Sequence, residues 1–174
     1  VNVTNLLAVN PDDDMFDFTQ GYSGTLKNCY GVWESGYTST EADPRGIEAD
    51  GNLDGIYPDH LRQSDFLVGN MTIVNNAANT TDNVDRMQDV IKIRRGAKAT
   101  ITNALVKGSG GTIDLIDMND SKGAGNAASS ISITHTLNFK NKLNGTLNTF
   151  TEPTTNTGAD ASLFTWSGYN FSSL

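Results

Sequence analysis

Apolar residues recur along this chain in short, nearly alternating runs, and the runs share a centre. Val3-Thr4-Asn5-Leu6-Leu7, Leu26-Lys27-Asn28-Cys29-Tyr30, Val68-Gly69-Asn70-Met71-Thr72 and Ile101-Thr102-Asn103-Ala104-Leu105 each set an Asn between two β-prone arms. A further copy, Ile133-Thr134-His135-Thr136-Leu137, carries His at that position. The centres lie 23, 42, 33 and 32 residues apart, and a unit recurring every ~20–50 residues is the mark of a solenoid or array. Alternation and β-branched residues predict strands. Asn tolerates the left-handed backbone region that a sharp bend between two strands needs, and its amide can hydrogen-bond the Asn one layer away. The expected fold is therefore all-β, a right-handed parallel β-helix (solenoid) with an Asn ladder. Its coils stack about 4.8 Å apart. The minimal coil is roughly 22 residues, so the longer spacings are loops inserted at the other corners.

These insertions fall at 34–64, 76–86 and 118–130, where Gly, Asp, Asn and Thr crowd together. The strands between them are Phe66–Asn75, Val90–Arg94, Ala99–Val106, Thr112–Ile116, Ile131–Phe139 and Thr146–Phe150. Helix is expected to be nearly absent, the best candidate being Asn83–Val90, whose apolar face does not continue. The alternative architecture is an antiparallel β-sandwich, supported by the hairpin dipeptide Asn144-Gly145. It ranks second because it leaves the recurring Asn unexplained. Residues 1–150 thus read as β-helix coils. Residues 151–174, with Leu163-Phe164-Thr165-Trp166 and Tyr169-Asn170-Phe171, read as an aromatic cap over the open end. The chain opens inside a coil, at Val1, so coils before it, or stacking on another subunit, are expected at the N-terminal face.

Charge narrows the function. The formal net charge is -8, with Lys+Arg 12 against Asp+Glu 20, and a phosphate backbone would be repelled, which argues against nucleic acid. No apolar run approaches a membrane span. The single cysteine, Cys29, excludes an internal disulfide and reads as a small buried hydrophobe.

The densest chemistry lies at Asp12-Asp13-Asp14-Met15-Phe16-Asp17, with Glu48 and Asp50, and Asp54 beyond them, one coil later. Crowded carboxylates repel one another unless a cation or hydrogen bonds offset them. Hard oxygen ligands in a loop suit Ca²⁺, so Asp12, Asp13, Asp14, Asp17, Glu48 and Asp50 are the candidate metal ligands; the plainer reading is turn capping and solvation. Lys92, Arg94, Arg95 and Lys98 form a basic strip best read as pairing with carboxylates of a neighbouring coil. Tyr22, Tyr30, Trp33, Tyr37 and Tyr57 gather near the 34–64 insertion. Tyr22, Trp33, Tyr37 and Tyr57 are the candidate ligand-binding residues, since a ring face stacks on a sugar. His135 reads as structural and His60 as a solvated loop residue. Glu48 and Asp50 share a face as i and i+2; Asp114 and Asp117 do not. Ile91-Lys92-Ile93 is similar to the Arg-Ile-Lys of polygalacturonases, but that family's Gly-His-Gly and paired-Asp motifs are missing.

The acidic stretch Asp12–Asp17 followed by Gly21-Tyr22-Ser23-Gly24 resembles one in right-handed β-helix proteins of Bacteroidetes, surface or secreted (lipo)proteins of largely unassigned function. Gly46-Ile47-Glu48-Ala49-Asp50-Gly51-Asn52 and Ile93-Arg94-Arg95-Gly96 extend the resemblance. It implies an extracellular or cell-surface β-helix at the bacterial outer membrane and supplies no reaction. The leading expectation is a non-enzymatic binding or attachment domain for carbohydrate or a cell-surface protein, without catalytic residues. The alternatives are a polysaccharide lyase or glycoside hydrolase using Glu48, Asp50 and the Asp12–Asp17 group, and a structural subunit of a surface assembly.

Overall fold

A computed structural model describes the chain except residues 53–56, 58, 60, 61 and 79–85. Two parallel sheets stack along one axis. The first holds β1 (Asn2–Val9), β3 (Ser23–Trp33), β5 (Asp65–Asn75), β7 (Lys98–Gly108), β9 (Ser130–His135) and β10 (Thr149–Thr151), in that order. The second holds β2 (Phe16–Phe18), β4 (Arg45–Asp50), β6 (Met87–Arg94) and β8 (Thr112–Asp117). Among the described residues every ladder between strands is parallel, with an isolated antiparallel bridge from Arg94 to Ala124. The chain is therefore a parallel β-helix, and the antiparallel sandwich is excluded. Asn144-Gly145 makes no hairpin, because Asn144 bridges Asp117 in parallel.

The bend lies where the Asn pattern puts it. Asn5, Asn28, Asn70 and Asn103 have φ of 56°, 55°, 56° and 53°, a region that costs most side chains but not a short amide. Each bend folds one long strand of the first sheet over two sides of the coil. Asn28 Nδ2 donates to Asn5 Oδ1 at 2.9 Å, and Asn103 Nδ2 to Asn70 Oδ1 at 2.9 Å. Between these rungs, Asn28 Oδ1 accepts Asp160 N–H at 2.6 Å instead. His135 is not a rung. A register shift after Ile101 sets Ile133 beside Ala104 and His135 beside Val106, three residues past the bend. Its ring nitrogens meet Glu152 Oε1 and the Leu137 carbonyl.

With the bends in phase, apolar residues stack in rows. Val3, Leu26, Val68, Ile101 and Ile131 are successive partners, as are Leu6, Cys29, Met71, Ala104 and Ile133, and in the second sheet Phe16, Ile47, Ile91 and Ile116. Cys29 is wholly buried and burial pushes its thiol up to about 12, so it packs as a hydrophobe. β1 forms the edge of the first sheet; there Leu6 is 39% exposed while Cys29, Met71, Ala104 and Ile133 are 0%. A cavity of about 400 Å³, lined in part by Val3, Leu6, Phe16 and Leu26, opens at that end.

Three expectations are corrected. The 34–64 insertion is not one loop, since β4 crosses its middle. Of the helix candidate Asn83–Val90, residues 83–85 lie outside the described residues and Met87–Val90 begins β6. The segment 151–174 is not an end cap but a strap along the outside of the first sheet. Thr157 N–H donates to Asn103 Oδ1 (2.8 Å), Ala159 N–H to Thr72 Oγ1 (2.9 Å), and Asp160 N–H to Asn28 Oδ1. Gly158, at φ 73°, lies so close that a Cβ would come within 2.2 Å of Thr72 Oγ1. The strap leads into the 3₁₀ helices Ala161–Ser167 and Phe171–Ser173; Phe164 of the first is buried with Tyr30, Val32 and Val74, and Phe171 of the second packs against them. At the far end, Phe139, Leu143, Leu147 and Phe150 pack on the core in the last turn of chain.

Asn103 serves the bend and the strap together. Asn103→Ala should lower stability by about 1–2 kcal/mol for the left-handed backbone and ~1 kcal/mol for each lost hydrogen bond. Asn103→Gly, which keeps the backbone geometry and loses only the amide, should recover part of the loss. Thermal melts of the two variants should rank wild type above Gly above Ala; equal melting of Gly and Ala would show that the bend conformation contributes nothing.

Candidate functional site: a charged face on the second sheet

Alternation points Asp17, Glu48, Lys92 and Asp117 away from the core, and they are register partners across four coils. A second column lies beside them. Arg45 pairs with Asp89 and Asp89 with Asp114, and Met15 N–H donates to the Arg45 carbonyl at 3.0 Å, which sets Asp14 above Arg45. Asp114 and Asp117 bridge Asn141 and Asn144 in the last turn. Each coil thus presents outward residues at i and i+3: Asp14/Asp17, Arg45/Glu48, Asp89/Lys92, Asp114/Asp117 and Asn141/Asn144. The residues between the two columns are covered at β2, β4, β6 and β8. At Gly46 a Cβ would come within 2.5 Å of the Val90 carbonyl, and Val90 and Leu115 are buried. Asp114 and Asp117 therefore do share a face, contrary to the expectation from simple alternation.

Cations of the face pair with carboxylates of their own and neighbouring coils. Arg45 contacts Glu48, reaches Asp89 Oδ2 at 3.1 Å and Asp43 Oδ2 at 2.9 Å. Arg94 binds Asp50 through two hydrogen bonds (2.8 and 3.2 Å) and Glu48 at 2.8 Å. Arg95 lies 3.3 Å from both Asp50 and Asp120, and Lys92 contacts Asp117; on the first sheet, Lys98 reaches Asp65 at 3.1 Å. Arg45 and Arg94 supply positive charge beside Glu48 and Asp50. Most of these side chains are largely covered, with exposures of 8–14% for Arg45, Glu48, Asp50, Asp89, Lys92, Arg94, Arg95, Asp117 and Asp120. Such pairs need every partner, because a lone buried charge is costly.

Of the acidic residues singled out from sequence, Asp17, Glu48 and Asp50 lie on this face and Asp14 at its edge. Asp12 turns away: its carboxylate accepts Thr40 N–H (2.8 Å) and the Thr40 hydroxyl, and the Thr40 N–H holds its pKa below the usual range. Asp13 is exposed. The aromatic candidates do not form a platform. Trp33 is 1% exposed and donates Nε1–H to the Pro11 carbonyl, so both ring faces belong to the core. Tyr37 leans on Trp33 and donates its hydroxyl to the same carbonyl. Tyr22 packs against Phe18 and Phe66. Tyr57 is 55% exposed; Ile56 and Pro58 beside it, with Asp54 and His60, lie outside the described residues. Arg45, Asp89, Asp114 and Asp117 were missed as a group, and their i, i+3 recurrence was the available signal.

Asp14 is the strained member. Its Oδ1 is buried without a hydrogen-bond partner. Burial first, then Glu48 and Asp13, push its pKa up to about 8. Burial likewise raises Asp89 to about 6, against Lys92 and Arg45. A raised carboxyl binds its proton more tightly in the folded chain, so the stability it contributes is fully present below about pH 4 and lost as pH rises through the folded value. The melting temperature in chelator should fall between about pH 4 and pH 8. Asp14→Asn should flatten the part above pH 6 and stabilise by about 1 kcal/mol at pH 8, leaving the Asp89 contribution between pH 4 and 6. An unchanged slope above pH 6 in this variant would place Asp14 in ordinary solvent.

The family comparison agrees with this architecture. A family described as a pectate-lyase-like beta helix domain matches residues 1–169. Neither the curated proteins nor the solved structures contain a significant match to the chain. With stacked parallel coils, in-phase Asn bends and a match over nearly all of its length, the chain belongs to the pectate-lyase-like β-helix domain family.

Proposed function

We propose that this β-helix is a non-enzymatic binding domain of a secreted or cell-surface protein, and that it holds a neutral glycan along the charged face of its second sheet. The pairing of the cations supports this most. Lyase chemistry needs a base free to take a proton, whereas Lys92 contacts Asp117 and Arg94 is fixed by Glu48 and Asp50. Hydrolysis needs two carboxyl groups with distinct protonation across a sugar bond, but Glu48 and Asp50 are both committed to arginines. What the face offers is carboxylate oxygens and, at Asn141 and Asn144, amides. Carboxylates outnumber cations there, which suits the hydroxyl donors of an uncharged sugar and repels a polyuronate. A polysaccharide lyase is the second reading, favoured by the closeness of Lys92 to the grouped carboxylates of Asp89, Asp114 and Asp117.

Calorimetry against neutral and uronate polysaccharides, run beside assays for reducing ends and for the ultraviolet absorbance of unsaturated products, separates the two. The expected result is heat of binding with neutral glycan, weakened at least tenfold by Asn144→Ala with Asn141→Ala, and no product. Product from a uronate polymer, lost in Lys92→Ala, would establish the lyase. Absence of binding to every glycan would sink the carbohydrate reading.

A further inference from the structure

Lys92 and Asp117 lie directly opposite one another on β6 and β8. They are 8% and 9% exposed, and Lys92 Nζ touches Asp117 Oδ2. The other oxygen, Asp117 Oδ1, accepts the Asn119 backbone N–H at 2.9 Å. Carboxylate oxygens of Asp89 and Asp114 lie within 4.8 Å of one from Asp117. Asp89 is anchored by Arg45 Nε at 3.1 Å, and Asp114 by Asn141 Nδ2 at 2.7 Å. An ion pair needs only the amine and the carboxylate. Here the carboxylate is also polarised at one oxygen, presented to the amine at the other, and flanked by a second acid in a place shielded from water. These are the parts that amide formation requires: a nucleophile, an electrophilic carbon with a donor to its oxygen, and a proton carrier.

We propose that Lys92 and Asp117 condense into an intramolecular amide that cross-links β6 to β8, with Asp89 carrying the proton. The Lys92 ammonium gives a proton, through Asp89, to Asp117 Oδ2, and the freed Nζ attacks Cγ of the neutral carboxyl group. The N–C bond forms and the Cγ–Oδ2 bond breaks. Oδ1 stays as the amide oxygen, its developing charge held by the Asn119 N–H. Asp89 then carries a second proton from Nζ to the departing Oδ2 hydroxyl, which leaves as water. One ammonium and one carboxylate thus become a neutral amide and one water, and no oxidant or further reactant is needed. Burial lifts Asp89 to about 6, so it can carry a proton near neutrality. The product also removes two charges from a covered site, where their desolvation is costly. The pair Lys98–Asp65, at side-chain exposures of 35% and 57%, has the ion pair and none of the shielding. It serves as the internal control.

Intact mass of the denatured full chain, followed by peptide mapping, tests this. The expected mass is one water below that of the sequence, with the Lys92 and Asp117 peptides recovered joined and the Lys98 and Asp65 peptides separate. Lys92→Arg keeps the cation and cannot condense, so it should run at full mass while still melting cooperatively. Asp89→Asn should slow the reaction at least tenfold in a time course after refolding. A folded wild-type chain at full mass, with Lys92 and Asp117 in separate peptides, overturns the proposal. So does a water loss that maps to Asp50-Gly51 as a cyclic imide, and Asp89→Asn reacting at the wild-type rate removes Asp89 from the step.

Discussion

Stacking in phase is the constraint on which the rest of this molecule depends. A parallel coil can pair along its whole length with the next only if both turn the corner at the same place. The left-handed conformation at Asn5, Asn28, Asn70 and Asn103 provides that turn, and a short amide is among the few side chains that tolerate it. Once the corners coincide, each inward residue sits on the inward residue of the next coil, and each outward residue on its outward neighbour. The core rows and the charged columns are two consequences of one register. The bend amides also serve the strap, because residues 157–160 bond to rungs the ladder leaves open. Its aromatic end then covers Tyr30, Val32 and Val74 on the first sheet.

The charged face carries the cost and the interest. Charged side chains placed in columns at the coil spacing interact strongly, and like charges in successive coils would repel. Arg45, Lys92 and Arg94 are distributed so that each meets carboxylates on its own or an adjacent coil. The compensation is incomplete at the end near β2, where Asp17 stacks on Glu48 and Asp14 has a buried oxygen without a partner. It is most complete at Lys92 and Asp117, where amine and carboxylate meet out of water. Such pairing holds most of the carboxylate oxygens of the face in fixed positions.

The family match and the fold leave the choice of chemistry to particular side chains, since one architecture can host many activities. In this chain charged side chains gather in i, i+3 pairs along the second sheet. The aromatic residues do other work: Trp33 and Tyr37 hold the corner at Pro11 and Asp12, and Tyr22 fills the space between Phe18 and Phe66.

The sequence by itself determined the coil. Alternating apolar arms around Asn are a local signal, because strand periodicity and left-handed tolerance are properties of a few adjacent residues. The parallel fold, the four bends, the buried Cys29 and most strands were therefore legible. The meeting of Asp17 with Glu48 was legible too, once the coils were assumed to stack. What required the tertiary structure was anything set by the length of an insertion or by packing between distant segments. His135 looked like a rung because its neighbours alternate correctly, but a register shift beside Ala104 moved it three residues past the bend. The strap could not be told from an end cap, since composition fixes that aromatic residues will be buried and not where. Asp114 and Asp117 seem to face apart under a period of two, and only the folded coil, with Gly46, Val90 and Leu115 covered between the columns, sets their carboxylates within 4.8 Å of one another and of Asp89.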